Sequence, residues 1–244
     1  MKNNLKDKPD QSPRVPQREK IKDVLTIKDL VWTPKQQEFI NLALDKQTKI
    51  LMVSGPAGSS KTILSVYCSL KLLNERRVSD IITLRSPVES SDKAIGFLPG
   101  TLDEKMSFYN LPFVDKLEEL LSKGDIAQLV KENRFSSFPV NFARGMSWNA
   151  KCIIVDESQN STIKELVTIL TRVGKFSKCF VLADPTQTDL TNGKRGAFEN
   201  IFNLLSDEES RIMGIRTFTF TEDDIMRSDI VRFLVKKFKT LSVT

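Results

Sequence analysis

Short apolar runs alternate along the chain with longer stretches in which apolar residues recur at helical spacing. The runs at 50–53, 81–84, 152–155 and 179–183, with the β-rich 216–220, predict strands. Helical spacing predicts helices over 34–45, where Thr33-Pro34 is a start signal and Phe39, Ile40, Ala43 and Leu44 recur, and over 63–73, 114–121, 163–171 and 225–238. Such alternation implies parallel βαβ units. Between about 87 and 149 the strand rhythm lapses, and Gly96, Pro99, Gly100, Pro112 and Pro139 punctuate mixed helical and loop sequence, which reads as an insertion covering one edge of the sheet. Residues 1–28 are polar, mixed in charge and carry Pro9, Pro13 and Pro16. They read as a disordered or loosely attached arm before one domain over 29–244.

Composition narrows the chemistry. A chain of 244 residues with 40% hydrophobic content can bury a substantial core as one domain with decorated ends. No window holds 18 uninterrupted apolar residues and the first twenty lack the apolar region of a secretory signal, so the expectation is a soluble, cytoplasmic protein with no membrane partner. Cys68, Cys152 and Cys179 are far apart, in apolar surroundings and form no C-x-x-C pair, which points to core packing over disulfides or zinc. The absence of histidine removes His-based acid–base chemistry, the usual hydrolase triads and His metal sites. Any catalysis must use Asp, Glu, Lys, Arg, Ser, Thr or a bound metal. The net charge of +6 suits a nucleic-acid or polyphosphate partner, and a Lys-rich solvated surface produces the same number.

Gly55-Pro56-Ala57-Gly58-Ser59-Ser60-Lys61-Thr62 lies between an apolar strand and a helix and nearly matches the phosphate-loop pattern. Small residues let backbone N–H groups curl round a polyphosphate at a helix N-terminus, where the aligned peptide dipoles favour negative charge. Lys61 would reach the β- and γ-phosphates of ATP and the Thr62 hydroxyl would ligate Mg²⁺. Ser60 departs from the pattern, which has Gly before the Lys, and a side chain there would crowd or strain the backbone.

The run at 152–155 ends in Asp156-Glu157, the placement of a Walker-B acid beside such a loop. Asp156 would hold Mg²⁺ directly or through water, and Glu157 would orient and activate the attacking water. A third strand ends in Asp184-Pro185-Thr186-Gln187, where Gln187 would sense the γ-phosphate or position water. These signals give an α/β fold of the RecA-like P-loop NTPase class, a mostly parallel sheet flanked by helices with a helical and loop insertion.

With these segments placed, residues 32–238 resemble the PhoH-like family, relatives of the ATPase core of superfamily 1 helicases. The resemblance is carried by Gly55-Pro56-Ala57-Gly58 with Lys61-Thr62, then Gly96-Phe97-Leu98-Pro99-Gly100 followed by Glu104-Lys105. Asp156-Glu157-Ser158-Gln159-Asn160, Asp184 with Gln187-Thr188-Asp189-Leu190, and Phe220-Thr221-Glu222-Asp223-Asp224-Ile225-Met226-Arg227 complete the order. The resemblance implies that Gln36, in Thr33-Pro34-Lys35-Gln36, contacts the adenine edge, that Arg85 touches nucleic acid or holds the site, and that Arg227 is an arginine finger. Arg144-Gly145 matches a family pair without an assigned role, and Asn192-Gly193-Lys194-Arg195-Gly196 departs from the family's Ser-Gly.

It further implies Mg-ATP hydrolysis coupled to single-stranded RNA or DNA, in a homo-oligomer or ring where a neighbour supplies an arginine. Arg232, Lys236, Lys237 and Lys239 add phosphate contacts or form the solvated face of a helix bearing Ile230, Phe233, Leu234 and Phe238. Two rivals stand beside this reading: a nucleotide-dependent switch with little turnover, which Ser60 favours and Glu157 opposes, and a small-molecule P-loop kinase, which the Asp-Glu-x-Gln pattern opposes.

Overall fold

The computed structural model describes residues 21, 23–85, 113–140, 147–185, 187, 197–226 and 228–238. The first elements are α1 (Pro34–Leu44), β1 (Ile50–Ser54), α2 (Lys61–Asn74) and β2 (Asp80–Arg85). Helical residues 113–120, α3 (Lys123–Lys131) and β3 (Phe135–Pro139) follow. The second half contributes β4 (Lys151–Asp156), α4 (Ile163–Leu170), β5 (Lys178–Ala183), α5 (Ala197–Leu204), α6 (Glu208–Met213), β6 (Ile215–Thr219) and α7 (Asp229–Phe238). The strands form one six-stranded sheet in the order β3-β2-β4-β5-β1-β6, and every neighbouring pair is parallel.

Side chains alternate across the sheet with a period of two, and both faces are covered. Leu51 and Val53 of β1 and Phe180 and Leu182 of β5 join α1 and α2 in one core, with Phe39, Leu64 and Leu70. Met52, Val155, Val181 and Ala183 face the other way and pack with Leu166 and Ile169 of α4 and Phe198 and Ile201 of α5. Cys68, Cys152 and Cys179 are buried free thiols in these layers, as core packing required. Burial raises all three thiols, Cys152 to about 12.

Helix α1 is pinned at both ends. Thr33 caps its N-terminus in a reciprocal capping box with Gln36. At the other end the buried Lys178 ammonium donates to the Ala43 and Asp45 carbonyls and Arg77 Nη1 donates to Leu44 O at 2.6 Å. Two cations thus meet the carbonyls that the helix itself cannot satisfy. Burial, reinforced by Arg77, holds the Lys178 ammonium down to about 8.

The structure differs from the sequence expectation in two places. The stretch expected to lack strand rhythm contributes β3, which pairs with β2 and forms the sheet edge. Its sequence, Phe-Ser-Ser-Phe-Pro, is too polar to register as an apolar run. The last residues of the expected arm are docked: Ile21 and Leu25 are buried, and the Asn74 side chain accepts from Leu25 N and donates to Leu25 O, both at 2.9 Å.

Phe39 is fully buried and its ring lies 5.6, 5.9 and 6.4 Å from those of Phe218, Phe220 and Phe180. Phe39→Ala is expected to lower stability by about 3–5 kcal/mol. Urea unfolding measures it, and a loss below about 1 kcal/mol would show that α1 is not anchored through this ring.

Candidate functional site

The loop 55–60 leaves the end of β1 and enters α2. Gly55 N donates to Ala183 O at 3.1 Å, which ties the loop's first residue to β5. Gly55 also lies beneath Phe220: a Cβ at this position would come within 2.7 Å of Phe220 Cβ, so only glycine fits. Gly58 has φ +83° and Ser60 φ +65°, ψ +14°, so two residues of the loop are left-handed and one of them is not glycine. Ser60 is the N-cap of α2, yet its side chain does not cap the helix. Its hydroxyl instead accepts from Gln36 Nε2 at 3.2 Å. The Lys61 ammonium is folded back on the loop and donates to Gly55 O at 2.7 Å and Pro56 O at 2.9 Å.

Parallel pairing brings the acidic ends of β4 and β5 to the same edge as this loop. Thr62 Oγ1 donates to the Asp156 carboxylate at 3.3 and 3.5 Å. Glu157 follows in the left-handed region at φ +54°, and its N–H returns to Asp156 Oδ1 at 3.1 Å. Its carboxylate is held from two sides, by Arg85 Nη2 at 3.4 Å and by Gln159 Nε2 at 2.6 Å. Gln159 also donates to Gln187 O at 3.3 Å and accepts from Asp184 N at 3.0 Å, so one buried amide links the ends of β4 and β5.

Burial dominates the charges. The Asp156 carboxyl is raised to about 6, first by desolvation and then by Glu157, against the pull of Arg85, the Glu157 N–H and Lys61. Burial also lowers the Lys61 ammonium, although Asp184, Asp156 and Glu157 each act to raise it. Thr62 and Asp156 together offer a hydroxyl and a carboxylate, hard oxygen donors of the kind a Mg²⁺ ion takes beside phosphate and water oxygens. Among the described residues no group of three or more His, Cys, Asp or Glu is placed to hold a metal ion together. The loop and strand ends line an open cleft of about 570 Å³, together with Val31, Trp32 and Met226.

Of the residues singled out in the sequence, Gln36, Ala57, Gly58, Ser60, Lys61, Thr62, Asp156, Glu157 and Gln187 all line this cleft. Gly55, Pro56 and Ser59 shape the loop from behind through the Lys61 contacts and the Ser59 Oγ donation to Pro56 O at 2.8 Å. Arg227 lies outside the described residues; its neighbour Met226 donates its N–H to Gly58 O at 3.0 Å. Arg144, the stretches 96–100, 104–105 and 192–196, and Thr188-Asp189-Leu190 also lie outside them. Sequence reasoning quoted Gln159 as part of a motif without assigning it a role, and the Gln36–Ser60 contact was not foreseen. Only a one-turn 3₁₀ helix over Ser158–Asn160 turns Gln159 back to the strand ends, and short 3₁₀ turns leave no periodic trace in sequence.

Comparison with known proteins places this geometry. The family model for PhoH-like protein matches residues 30–239. A PhoH-like protein of Mycobacterium tuberculosis is 32% identical over 219 residues, covering 88% of this chain and 60% of its own. One from Synechocystis is 31% identical over 207 residues, covering 85% and 61%. The chain therefore spans about 60% of the length of the curated relatives it matches. Among solved structures, the large terminase of a thermophilic bacteriophage superposes with a TM-score of 0.52 at 13% identity, over 86% of this chain and 50% of that one. The fold is that of a RecA-like P-loop NTPase, a nucleotide-binding ATPase fold. No helix among the described residues is long and apolar enough to cross a membrane.

In the metal-free folded protein Asp156 keeps its proton up to about pH 6, whereas the unfolded chain releases it near 3.8. The folded state therefore binds more protons between those values, and this residue's contribution to stability falls as pH rises through that window. Asp156→Asn is expected to raise stability at pH 7 by about 1–3 kcal/mol in EDTA, with the gain shrinking toward pH 4. Urea unfolding at the two pH values checks this; a variant no more stable than the parent at pH 7 would contradict the burial penalty.

Proposed function

The chain belongs to the PhoH-like family, and from that premise we propose that it binds Mg-ATP on the 55–62 loop and hydrolyses it at the ends of β4 and β5. The observation that carries this reading is the convergence of Lys61, Thr62, Asp156, Glu157 and Gln187 on one cleft floored by a phosphate-type loop. Lys61 would exchange the Gly55 and Pro56 carbonyls for phosphate oxygens, which carry full charge and are better partners for an ammonium. A Mg²⁺ held by Thr62 and Asp156 would neutralise charge on the β- and γ-phosphate oxygens.

Glu157 is the base. In a chain without histidine, a carboxylate fixed on both sides is the group able to take a proton from water, and one Oε would receive it as the water oxygen bonds the γ-phosphorus and the bond to the departing ADP oxygen breaks. Gln187 stands at the cleft edge, its carbonyl tied to Gln159, where its amide would sense the γ-phosphate or orient the water. Coupling to single-stranded RNA or DNA, and assembly of copies in which Arg227 completes a neighbour's site, belong to the same proposal. They are supported by the net charge of +6 and by the family likeness.

Phosphate release from Mg-ATP, with and without single-stranded RNA and DNA, tests the reading. Glu157→Gln is expected to bind ATP as the parent does while turning over at least about 100-fold more slowly. Lys61→Ala is expected to lose binding as well. Undiminished turnover in Glu157→Gln would remove the water-activating role, and turnover indifferent to both nucleic acids would remove the coupling.

A further inference from the structure

We infer that Gln36 sets the conformation of the phosphate loop through Ser60 instead of reading the base, so that the site takes nucleoside triphosphates with little preference for adenine. This rests on the reading of the loop as a nucleotide site and goes beyond it to the site's selectivity. Reading an adenine edge takes the donor and the acceptor of one amide together. In Gln36, only 4% exposed, both are engaged within the chain: Oε1 accepts from Thr33 N at 2.9 Å and Nε2 donates to Ser60 Oγ at 3.2 Å.

The loop needs that contact. Ser60 holds a left-handed backbone where glycine is at no disadvantage, and an L side chain there disfavours the conformation by roughly fivefold to thirtyfold. A hydrogen bond from a fixed donor offsets this. The donor is fixed because α1 is capped by Thr33, locked at its far end by Lys178 and Arg77, and keyed into the core by Phe39. Among the described residues lining the cleft, Leu30, Val31, Ile63 and Met226 are apolar, Trp32 offers an aromatic face, and Lys116 and Glu119 are paired with each other at 2.5 Å. A base held there is held by its faces.

Calorimetric titration with Mg-ATP and Mg-GTP on the whole chain, as parent, Gln36→Ala, Ser60→Gly and the double variant, tests the inference. The parent is expected to bind the two nucleotides within about threefold of each other. Gln36→Ala is expected to weaken both equally, by roughly fivefold to thirtyfold, the preference that Ser60 loses without its partner. In the Ser60→Gly background the same substitution is expected to change affinity less than about twofold, because glycine adopts the loop conformation unaided. A loss confined to ATP would overturn the inference in favour of base reading. Equal losses in both backgrounds would reduce Gln36 to a helix cap. Should Gln36→Ala not fold, Ser60→Ala tests the link from its other end, and unchanged affinity for both nucleotides would overturn it. Failure of the parent to bind either nucleotide would overturn the nucleotide-site reading beneath it.

Discussion

The register of the central strands is the constraint on which the cleft depends. Ser54 at the end of β1 stands opposite Ala183 of β5 and Thr219 of β6, and Val155 of β4 stands opposite Val181. The residues that follow, Gly55, Asp156 and Asp184, are thereby delivered to one edge. Register is fixed because both faces of these strands are buried: a slip of one residue would send Leu51 and Val53 to the opposite layer and disturb two cores at once. The pairing continues beyond the strands, where Gly55 N meets Ala183 O and Phe220 N meets Ser54 O at 2.8 Å. Phe220 then closes over Gly55, so the absence of a side chain at one position of the loop is a packing requirement of the core.

The same edge concentrates charge where water is scarce. Lys61 and Asp156 lie close enough for each to favour the other's ionised form, yet both are displaced toward neutrality, so desolvation outweighs their attraction. A fold optimised for stability alone would place apolar groups there. Retaining these charges is intelligible if their missing partners arrive from outside, as polyphosphate oxygens for the ammonium and a cation for the carboxylate.

Much of this was legible in sequence because it rests on local pattern. The four apolar runs and the β-rich segment became five strands, and strand, loop and helix around Lys61 and the acidic end of β4 fell where predicted. Legibility failed where a segment's role is decided by its neighbours. Phe135 to Pro139 is a strand because β2 offers an open edge, not because the segment is apolar. Leu25 is held where Asn74 presents a matched amide to its backbone, a pairing 49 residues distant, and Ile21 is buried in the same core. The Gln36–Ser60 bond was invisible for the same reason, since Gln36 satisfies the capping pattern of its own helix and gives no sign of a second duty.

Glu157 shows how far local preference yields to chemistry. In the left-handed region it lies where glycine or asparagine would be more comfortable, a disadvantage of about 1–2 kcal/mol. Glycine would relax the backbone and remove the carboxylate; asparagine would keep a polar group but could not take a proton. The conformation is held instead by its surroundings. Glu157 N bonds Asp156 Oδ1, Asn160 N closes a turn onto Glu157 O at 3.0 Å, and Arg85 and Gln159 grip the two carboxylate oxygens. A strained residue fixed by four contacts from three segments is costly to keep by chance. On the proposed reading, the strain is the condition for presenting a base at the end of a buried strand, with Gln159 linking its position to the end of β5.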